Sequence, residues 1–156
     1  MIRRARHTDF TRIGTLIHQH ALYEGVAQPS PVDLQNLQDL ALGAAPRIFL
    51  WVVDYEGAIG GYMSATIDYS TWQAAPFVHM DCLYLEPALR GQGVGRQFIA
   101  TLAGFAHEQA IDVIEWQTPP DNLAGIGFYQ RVGASHLTKQ RFVLDVQQFM
   151  GTLVPS

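Results

Sequence analysis

Six residues near the middle of the chain, Arg90-Gly91-Gln92-Gly93-Val94-Gly95, have the types and spacing of a turn that binds phosphate. They separate an apolar run at residues 78–85, which predicts a strand, from residues 96–109, which predict a helix. Glycine lets the backbone approach a bulky anion, and the first turn of a helix offers free N–H groups and a partial positive charge. We therefore expect the turn to hold a phosphorylated small molecule.

Two well-known phosphate loops do not fit these residues. The loop of the nucleotide triphosphatases has Lys followed by Ser or Thr after its last glycine, where this chain has Arg96 and Gln97. The dinucleotide fingerprint requires the spacing G-x-G-x-x-G, whereas the glycines here are Gly91, Gly93 and Gly95.

The pattern that fits is Arg90-x-x-Gly93-x-Gly95, which resembles the acetyl-CoA loop of the GNAT family of N-acetyltransferases. Residues 122–134 are similar to a later motif of that family, with an asparagine, small residues, Phe-Tyr, a basic residue and Gly-Ala. The motifs occur in the family's order, with one predicted helix and one predicted strand between them. The resemblance covers essentially the whole chain.

Residues 22–24, 68–72 and 133–137 are similar to the diamine and thialysine acetyltransferase branch of the family. That branch carries an acidic pair in the central strand, where this chain has Asp81 and Cys82. This chain keeps only one of the two acids, and the loss of the other argues against a long polyamine as the substrate.

The resemblance implies a GNAT fold, which is an α/β fold with a central, mostly antiparallel sheet flanked by helices. It also implies acetyl-CoA as co-substrate and no metal. Backbone groups of one strand would hold the pantetheine arm, and the turn would hold the pyrophosphate. The residues assigned to acetyl-CoA are Leu83, Leu85, Arg90, Gly91, Gln92, Gly93, Val94, Gly95, Arg96 and Asn122.

Two side chains are predicted to be catalytic. The resemblance implies that Tyr129 is the general acid, because a phenol with a pKa near about 10 stays protonated and can protonate the leaving thiolate. Asp81 lies in an apolar strand, where charges are scarce, and could bind the ammonium group or accept its proton through a water. A structural carboxylate at a bulge is the alternative for Asp81, and Glu115 and His79 are alternative bases.

Strict alternation along this strand predicts that Asp81 shares a face with Leu83 and Leu85 and that Cys82 faces away. We expect Cys82 to be inert. The predicted substrate-side residues are Tyr23, Glu24, Trp72 and Glu115, because aromatic rings beside acids suit a cationic amine. Ordinary packing or a dimer contact is the alternative for Trp72.

The predicted strands and helices that must position these residues alternate with one another mainly in the second half of the chain. Hydrophobic patterns predict strands at 1–6, 48–54, 58–69, 77–85, 112–118 and 141–146, and helices at 9–20, 31–42, 96–109 and 122–132. Gly60 and Gly61 predict a bulge, and Gly133 predicts a left-handed helix end. We expect a mixed sheet in one domain, residues 1–156.

Composition narrows the possible partners. A net charge of −4 argues against a nucleic-acid binder or an anionic-membrane binder, and 156 residues that are 48% hydrophobic suffice for one domain. One cysteine allows no intrachain disulfide, which predicts a reducing compartment, and without an apolar run of signal or membrane-spanning length we expect a cytoplasmic protein. The spacing of His18, His20 and His136 from other ligands does not predict a metal site. The family resemblance suggests a homodimer, to which the predicted strand at 141–146 could contribute.

The overall expectation is direct acetyl transfer from acetyl-CoA to a primary amine of a small cationic substrate, such as a diamine, a lysine analogue or an amino acid. Acetylation of an aminoglycoside-like compound or a protein N-terminus is the alternative among enzymes. A non-catalytic module that binds acyl-CoA is the alternative outside them.

Overall fold

Five segments form one sheet in the computed structural model, which describes residues 1–155. The strands, in chain order and in spatial order, are β1 Ile2–Arg4, β2 Phe49–Tyr55, β3 Ala58–Ser70, β4 Ala75–Leu85 and β5 Ile114–Trp116. Neighbours from β1 to β4 are antiparallel, and β5 runs parallel to β4. The predicted mixed, mostly antiparallel sheet is confirmed.

Helices cover both faces of this sheet. One face packs against α1 (Phe10–Tyr23) and α2 (Leu34–Leu42) through a core that includes Leu50 and Val52. The other face packs against α3 (Val94–Glu108), whose Phe105 ring lies 4.7 Å from the ring of Phe49. Alternation along β2 therefore sends successive side chains into two different hydrophobic layers.

The sheet contains two bulges, each made by one extra residue. In β3 the extra residue is Gly60, because Val53 pairs with Gly61 and Asp54 with Ile59. A Cβ on Gly60 would lie 2.5 Å from Leu89 Cδ1, so the end of that side chain would have to shift, whereas a Cβ on Gly61 would lie 2.7 Å from the backbone carbonyl oxygen of Tyr84. This bulge confirms the prediction from Gly60 and Gly61.

The second bulge lies at Asp81, where a bulge was only the alternative interpretation of the sequence. Ser64 pairs with Cys82 and Ala65 pairs with Met80, so Asp81 is the extra residue of β4. An extra residue resets the alternation of side chains. The prediction that Asp81 and Cys82 point to opposite faces, and that Leu83 shares the face of Asp81, is therefore wrong.

Contacts of the side chains agree with this reset register. Cys82 packs against the same core cluster as Tyr62 and Tyr84, and its Sγ lies 3.8 Å from Asp81 Oδ2. Leu83 pairs with Met63, next along β3 to Tyr62, and so lies on the opposite face. Asp81 and Cys82 are thus neighbours on one face of the sheet.

The residues divide into two compact units, Met1–Asn122 and a second that begins at Leu123. The second unit contains α4 (Leu123–Val132) and α5 (Val146–Thr152). After α4 the chain passes through Gly133 at φ +101°, and the Ala134 N–H donates to the Tyr129 carbonyl over 3.1 Å. This confirms the predicted left-handed end of the helix.

The predicted strand at residues 141–146 is wrong. Residues 134–145 form no strand, and Asp145 instead caps α5 by accepting a 2.8 Å hydrogen bond from the Gln148 N–H. A strand needs a neighbour to pair its backbone groups, and the pairing of the described residues provides none here. The apolar side chains that suggested the strand are exposed: Phe142, Val143 and Leu144.

None of the helices in residues 1–155 combines the length and the apolar character needed to cross a lipid bilayer.

Candidate active site

The glycine-rich turn connects the end of β4 to the start of α3. Gly91 and Gly93 adopt φ values of +74° and +79°, which L-residues rarely adopt, so the turn depends on glycine at these positions. The helix begins at Val94, two residues before the predicted start. Gly93 is its N-cap and offers no side-chain hydrogen bond, so the first N–H groups of α3 keep their capacity to bind an anion.

Arg90 is held beside β4 and α1. Its Nε donates a 2.8 Å hydrogen bond to the carbonyl of Leu85. Its guanidinium carbon lies 4.7 Å from the ring centre of Tyr23 and 5.5 Å from that of Tyr84. The ring of Tyr23, predicted to attract a substrate cation, is therefore already in contact with a cation of the protein itself.

The other residues of the turn are oriented to the surface. Gln92 is exposed and donates its side-chain amide to the carbonyl of Ala88, and Arg96 is exposed on the first turn of α3. Both residues therefore remain accessible to a ligand bound at the turn.

One edge of β4 is free beyond its middle. Pairing with β5 involves only Val78, His79 and Met80, so among residues 1–155 no strand pairs with β4 on that side from Asp81 to Leu85. An extended molecule could therefore add to this edge as a further strand does, using backbone groups near Leu83 and Leu85. A short 3-10 helix, Pro87–Leu89, connects the free edge to the glycine-rich turn.

Next to this edge, α1 contributes a buried polar contact that the sequence analysis did not select. His20 Nδ1 lies 2.8 Å from the hydroxyl of Tyr62, and His20 Nε2 lies 3.2 Å from a carboxylate oxygen of Glu24. The His20 ring stacks on Tyr84 at 5.3 Å. Histidine and glutamate four residues apart near the end of α1 were the available sequence signal, because side chains at that spacing meet on a helix.

Glu24 and Asp81 both affect the pKa values of two buried groups, the thiol of Cys82 and the hydroxyl of Tyr62. Burial raises the pKa of Cys82 to about 11, with Asp81 and Glu24 adding to the effect. Burial also raises the pKa of Tyr62, and Cys82, Asp81 and Glu24 raise it further. The Cys82 thiol therefore stays protonated at neutral pH, as expected for an inert cysteine, and both carboxylates raise the pKa values of the same two groups.

Glu115 lies on the neighbouring strand. It is exposed and stands opposite His79 in the parallel pairing of β4 and β5. His79 Nδ1 lies 3.7 Å from Asp68 Oδ2, so the imidazole already has an acidic neighbour. Glu115 and His79 thus lie two positions before Asp81 along the pairing of β4 with β5.

Trp72 is far from these acids along the sheet. Its side chain is 96% exposed in the hairpin between β3 and β4, whose last pair is Ser70 and Ala75. Asp81 lies six residues beyond Ala75 on β4, which is about 20 Å at the usual rise of a strand. Within the described residues, the fold thus does not bring Trp72 together with Glu24 and Asp81.

Asn122 ends the first unit. Its side-chain amide donates a 2.8 Å hydrogen bond to Thr118 Oγ1, and its Oδ1 lies 3.5 Å from the hydroxyl of Tyr23. Asn122 therefore lies beside the end of α1.

Tyr129 lies on α4 of the second unit. It is half-buried, and its ring centre lies 5.2 Å from that of Phe128. Its role as general acid stays a prediction.

The fold and the turn define a class of protein. The profile described as the acetyltransferase (GNAT) family matches residues 2–134, and the chain belongs to that family. It is an N-acetyltransferase, and enzymes of this family use acetyl-CoA. In residues 1–155 no three His, Cys, Asp or Glu side chains are grouped as a metal site requires.

Individual relatives are named for lysine-like acceptors. The chain is 26% identical over 147 residues to a thialysine N-epsilon-acetyltransferase of Bos taurus, covering 89% of this chain and 86% of the relative. It is 25% identical over 134 residues to the peptidyl-lysine N-acetyltransferase YjaB of Salmonella typhimurium, covering 85% and 81% of the two chains.

Solved structures share the fold. An aminoglycoside acetyltransferase from an uncultured soil metagenomic sample superposes with a TM-score of 0.78 at 18% identity, covering 93% of this chain and 96% of that one. The aminoglycoside N-acetyltransferase AAC(6')-Iy in complex with CoA superposes with a TM-score of 0.73 at 18% identity, covering 93% and 98%.

Proposed function

We propose that the chain transfers an acetyl group from acetyl-CoA to a primary amine of a small cationic substrate, such as a diamine, a lysine analogue or an amino acid. The observation that carries this proposal is that Glu24 and Asp81 both border the cluster around Tyr62: Glu24 contacts His20, whose other ring nitrogen contacts Tyr62, and Asp81 contacts Cys82. Two carboxylates beside the free edge of β4 attract a cation. The names of the thialysine acetyltransferase relatives support the same substrate class.

The N–H groups at the start of α3, together with Arg96, hold the pyrophosphate of acetyl-CoA in this proposal. The backbone of β4 near Leu83 and Leu85 holds the pantetheine arm, and one of its N–H groups donates to the thioester carbonyl, where negative charge develops. Arg90 contributes charge from its position at the end of β4. Asn122 contacts the pantetheine chain.

Asp81 binds the ammonium group and takes its proton through a water, with Glu115 as the alternative base. The neutral nitrogen then forms a bond to the acetyl carbon, the bond from that carbon to sulfur breaks, and the nitrogen releases its extra proton to water. Tyr129 donates its proton to the departing thiolate. Glu24 and the edge of the Tyr23 ring line the acceptor side. Trp72 is left out, because it lies too far along the hairpin.

We also propose that the protein is a homodimer. The support is the exposed apolar segment after α4, in which Phe142 is 88% exposed and Val143 84% exposed. A second copy can cover these side chains. Light scattering after size exclusion tests the proposal, and Phe142→Asp should shift a dimer to monomers. A monomeric wild-type protein at micromolar concentration would contradict it.

A lysine side chain within a peptide is the second candidate acceptor, since YjaB relatives carry that name. The deciding experiment is a screen for CoA release over diamines, lysine analogues, amino acids, aminoglycosides, lysine peptides and peptides with free N-termini. We expect turnover on the first three groups. Activity confined to peptides or aminoglycosides would overturn the proposed substrate class.

A variant separates catalysis from binding alone. Tyr129→Phe should lower kcat by about 100-fold, the usual contribution of a general acid, while acetyl-CoA binding measured by calorimetry stays unchanged. Acetyl-CoA binding without turnover on any amine would indicate a non-catalytic module instead.

A further inference from the structure

His20 has an environment that the proposed chemistry does not yet use. Its side chain is only 13% exposed and lies in the last turn of α1. Both ring nitrogens have partners, with Tyr62 at Nδ1 and Glu24 at Nε2. A ring with both nitrogens occupied has no free hydrogen-bonding atom for a substrate, so we expect an effect on the reaction to act through Tyr62 or Glu24.

The partners determine which nitrogen carries the proton. A carboxylate has only acceptor atoms, so the contact with Glu24 requires a hydrogen on Nε2. Burial lowers the pKa of His20, and Arg90 lowers it further, against opposing effects of Glu24 and Asp81. In a neutral ring Nδ1 is then an acceptor, and the hydroxyl of Tyr62 donates to it.

The ring is also fixed in orientation. It stacks on Tyr84 at 5.3 Å with an angle of 26° between the planes, and Tyr84 packs edge-to-face with Tyr23 at 6.3 Å. Glu24 is the C-cap of α1, and its side chain is 42% exposed, so it keeps much of its access to solvent. Among these groups, Glu24 is the acid that can turn toward a substrate or away from it.

We propose that His20 is a positioning residue of the acceptor subsite, whose Nε2–H holds the carboxylate of Glu24 toward the incoming ammonium group while Tyr62 holds the imidazole in the required tautomer. The inference rests on the proposed function, because it assigns the acceptor to the acidic side of the cleft. In this arrangement His20 contributes to the specificity for the amine without contacting either substrate.

A pH dependence follows from this arrangement. The groups that face His20 are Glu24 on α1, Tyr62 on β3, Asp81, Cys82 and Tyr84 on β4, and Arg90 after β4. Protonation makes Nδ1 a donor, forces the Tyr62 hydroxyl to turn, and places a positive charge beside two carboxylates. The KM for the amine should rise as the pH falls through the His20 pKa, which burial lowers from the ordinary value of a histidine, while the KM for acetyl-CoA stays constant.

Two substitutions separate the two ring nitrogens. In His20→Gln the amide can replace Nε2 and keep the bond to Glu24, whereas in His20→Asn the shorter amide replaces Nδ1 and loses it. We expect His20→Asn to raise the KM of the amine by about 10-fold or more, the size of a lost hydrogen bond to a charged group. His20→Gln should raise it by less than about 3-fold. His18→Asn, on the exposed side of the same helix, is the matched control.

Each outcome is informative because the two substrates are measured separately. Equal effects of His20→Asn and His20→Gln on the amine KM, or equal effects on both substrates, would show a purely structural role and overturn the inference. Thermal unfolding checks that the variants fold. If His20→Asn fails to fold, Glu24→Gln tests the same contact from its exposed end, and an unchanged amine KM would overturn the inference.

A measurement that needs no turnover separates this inference from the proposed function. Nitrogen-15 spectra of the imidazole in the full-length protein at pH 7.5 should show a neutral His20 ring with hydrogen on Nε2. A ring with hydrogen on Nδ1, or a protonated ring, would overturn the inference even in an active enzyme. A neutral Nε2–H ring in a protein that acetylates no amine would instead indicate that the proposed function is wrong.

Discussion

Replacement of Gly93 by alanine tests the role of the turn directly. Gly93 has φ +79° and ψ 0°, and a Cβ added there would meet no atom of the protein within 4 Å. The stability cost is therefore only the backbone strain of an L-residue in the left-handed region, about 1–2 kcal/mol. For a chain of this length that corresponds to a fall of about 2–8 °C in Tm.

The open space around that Cβ is where an anion would approach the N–H groups of α3. We expect Gly93→Ala to raise the KM of acetyl-CoA by about 10-fold or more, because the methyl group keeps the pyrophosphate from the backbone. Steady-state kinetics and calorimetric titration with CoA both measure this effect. The KM of the amine should change little.

Gly57 provides a matched control. It has φ +80° in the turn between β2 and β3, and a Cβ there also meets no atom within 4 Å. Gly57→Ala should therefore lower Tm by a similar amount without changing the KM of acetyl-CoA. The reasoning is refuted if Gly57→Ala raises this KM as much as Gly93→Ala, or if Gly93→Ala loses stability but binds CoA normally.

Two further predictions concern carboxylates. Asp81→Asn should raise the amine KM. It should also shift the pH profile of Cys82 alkylation downward, because Asp81 contributes to raising the Cys82 pKa to about 11. An unchanged alkylation profile would contradict the contact between Asp81 and Cys82. Asp9 accepts hydrogen bonds from Arg3, the first at 2.7 Å, and from the Arg6 N–H, and these hydrogen bonds lower its pKa. The carboxylate therefore stabilises the fold above its unfolded pKa of about 3.9, and the stabilisation is lost as the pH falls below that value. Urea midpoints measured from pH 6 to pH 3 should fall more steeply in the wild type than in Asp9→Asn, and parallel curves would refute the assignment.

The parts of the fold that follow from local chemistry could be predicted from the sequence. Gly91 and Gly93 predicted a turn between a strand and a helix, and Gly133 predicted the left-handed end of a helix, because glycine adopts such conformations at little cost. Apolar periodicity predicted the strands and helices of the first unit. None of these inferences needed information about distant parts of the chain.

The wrong or missing predictions depend on neighbours distant in sequence. A strand at 141–146 requires a partner strand, and no hydrophobic pattern shows whether one is available. Tyr62 and His20 are 42 residues apart, and only the packing of α1 on the sheet brings them to 2.8 Å. From the sequence alone, aromatic and histidine side chains on apolar faces are interpreted as core residues, because a contact such as that of His20 with Tyr62 is not visible there.

The bulge at Asp81 explains why the candidate site could be predicted only in part. Pairing between β4 and β5 ends at Met80, and the bulge follows at the next residue. A bulge increases the local twist and terminates pairing, so one extra residue is sufficient to free the edge of β4 just before the turn. The same residue brings Asp81 and Cys82 to one face and turns Tyr84 toward His20. In an unbulged strand Asp81 and Tyr84 would lie on opposite faces, so no single face could carry both the acid and the aromatic ring that stacks on the imidazole.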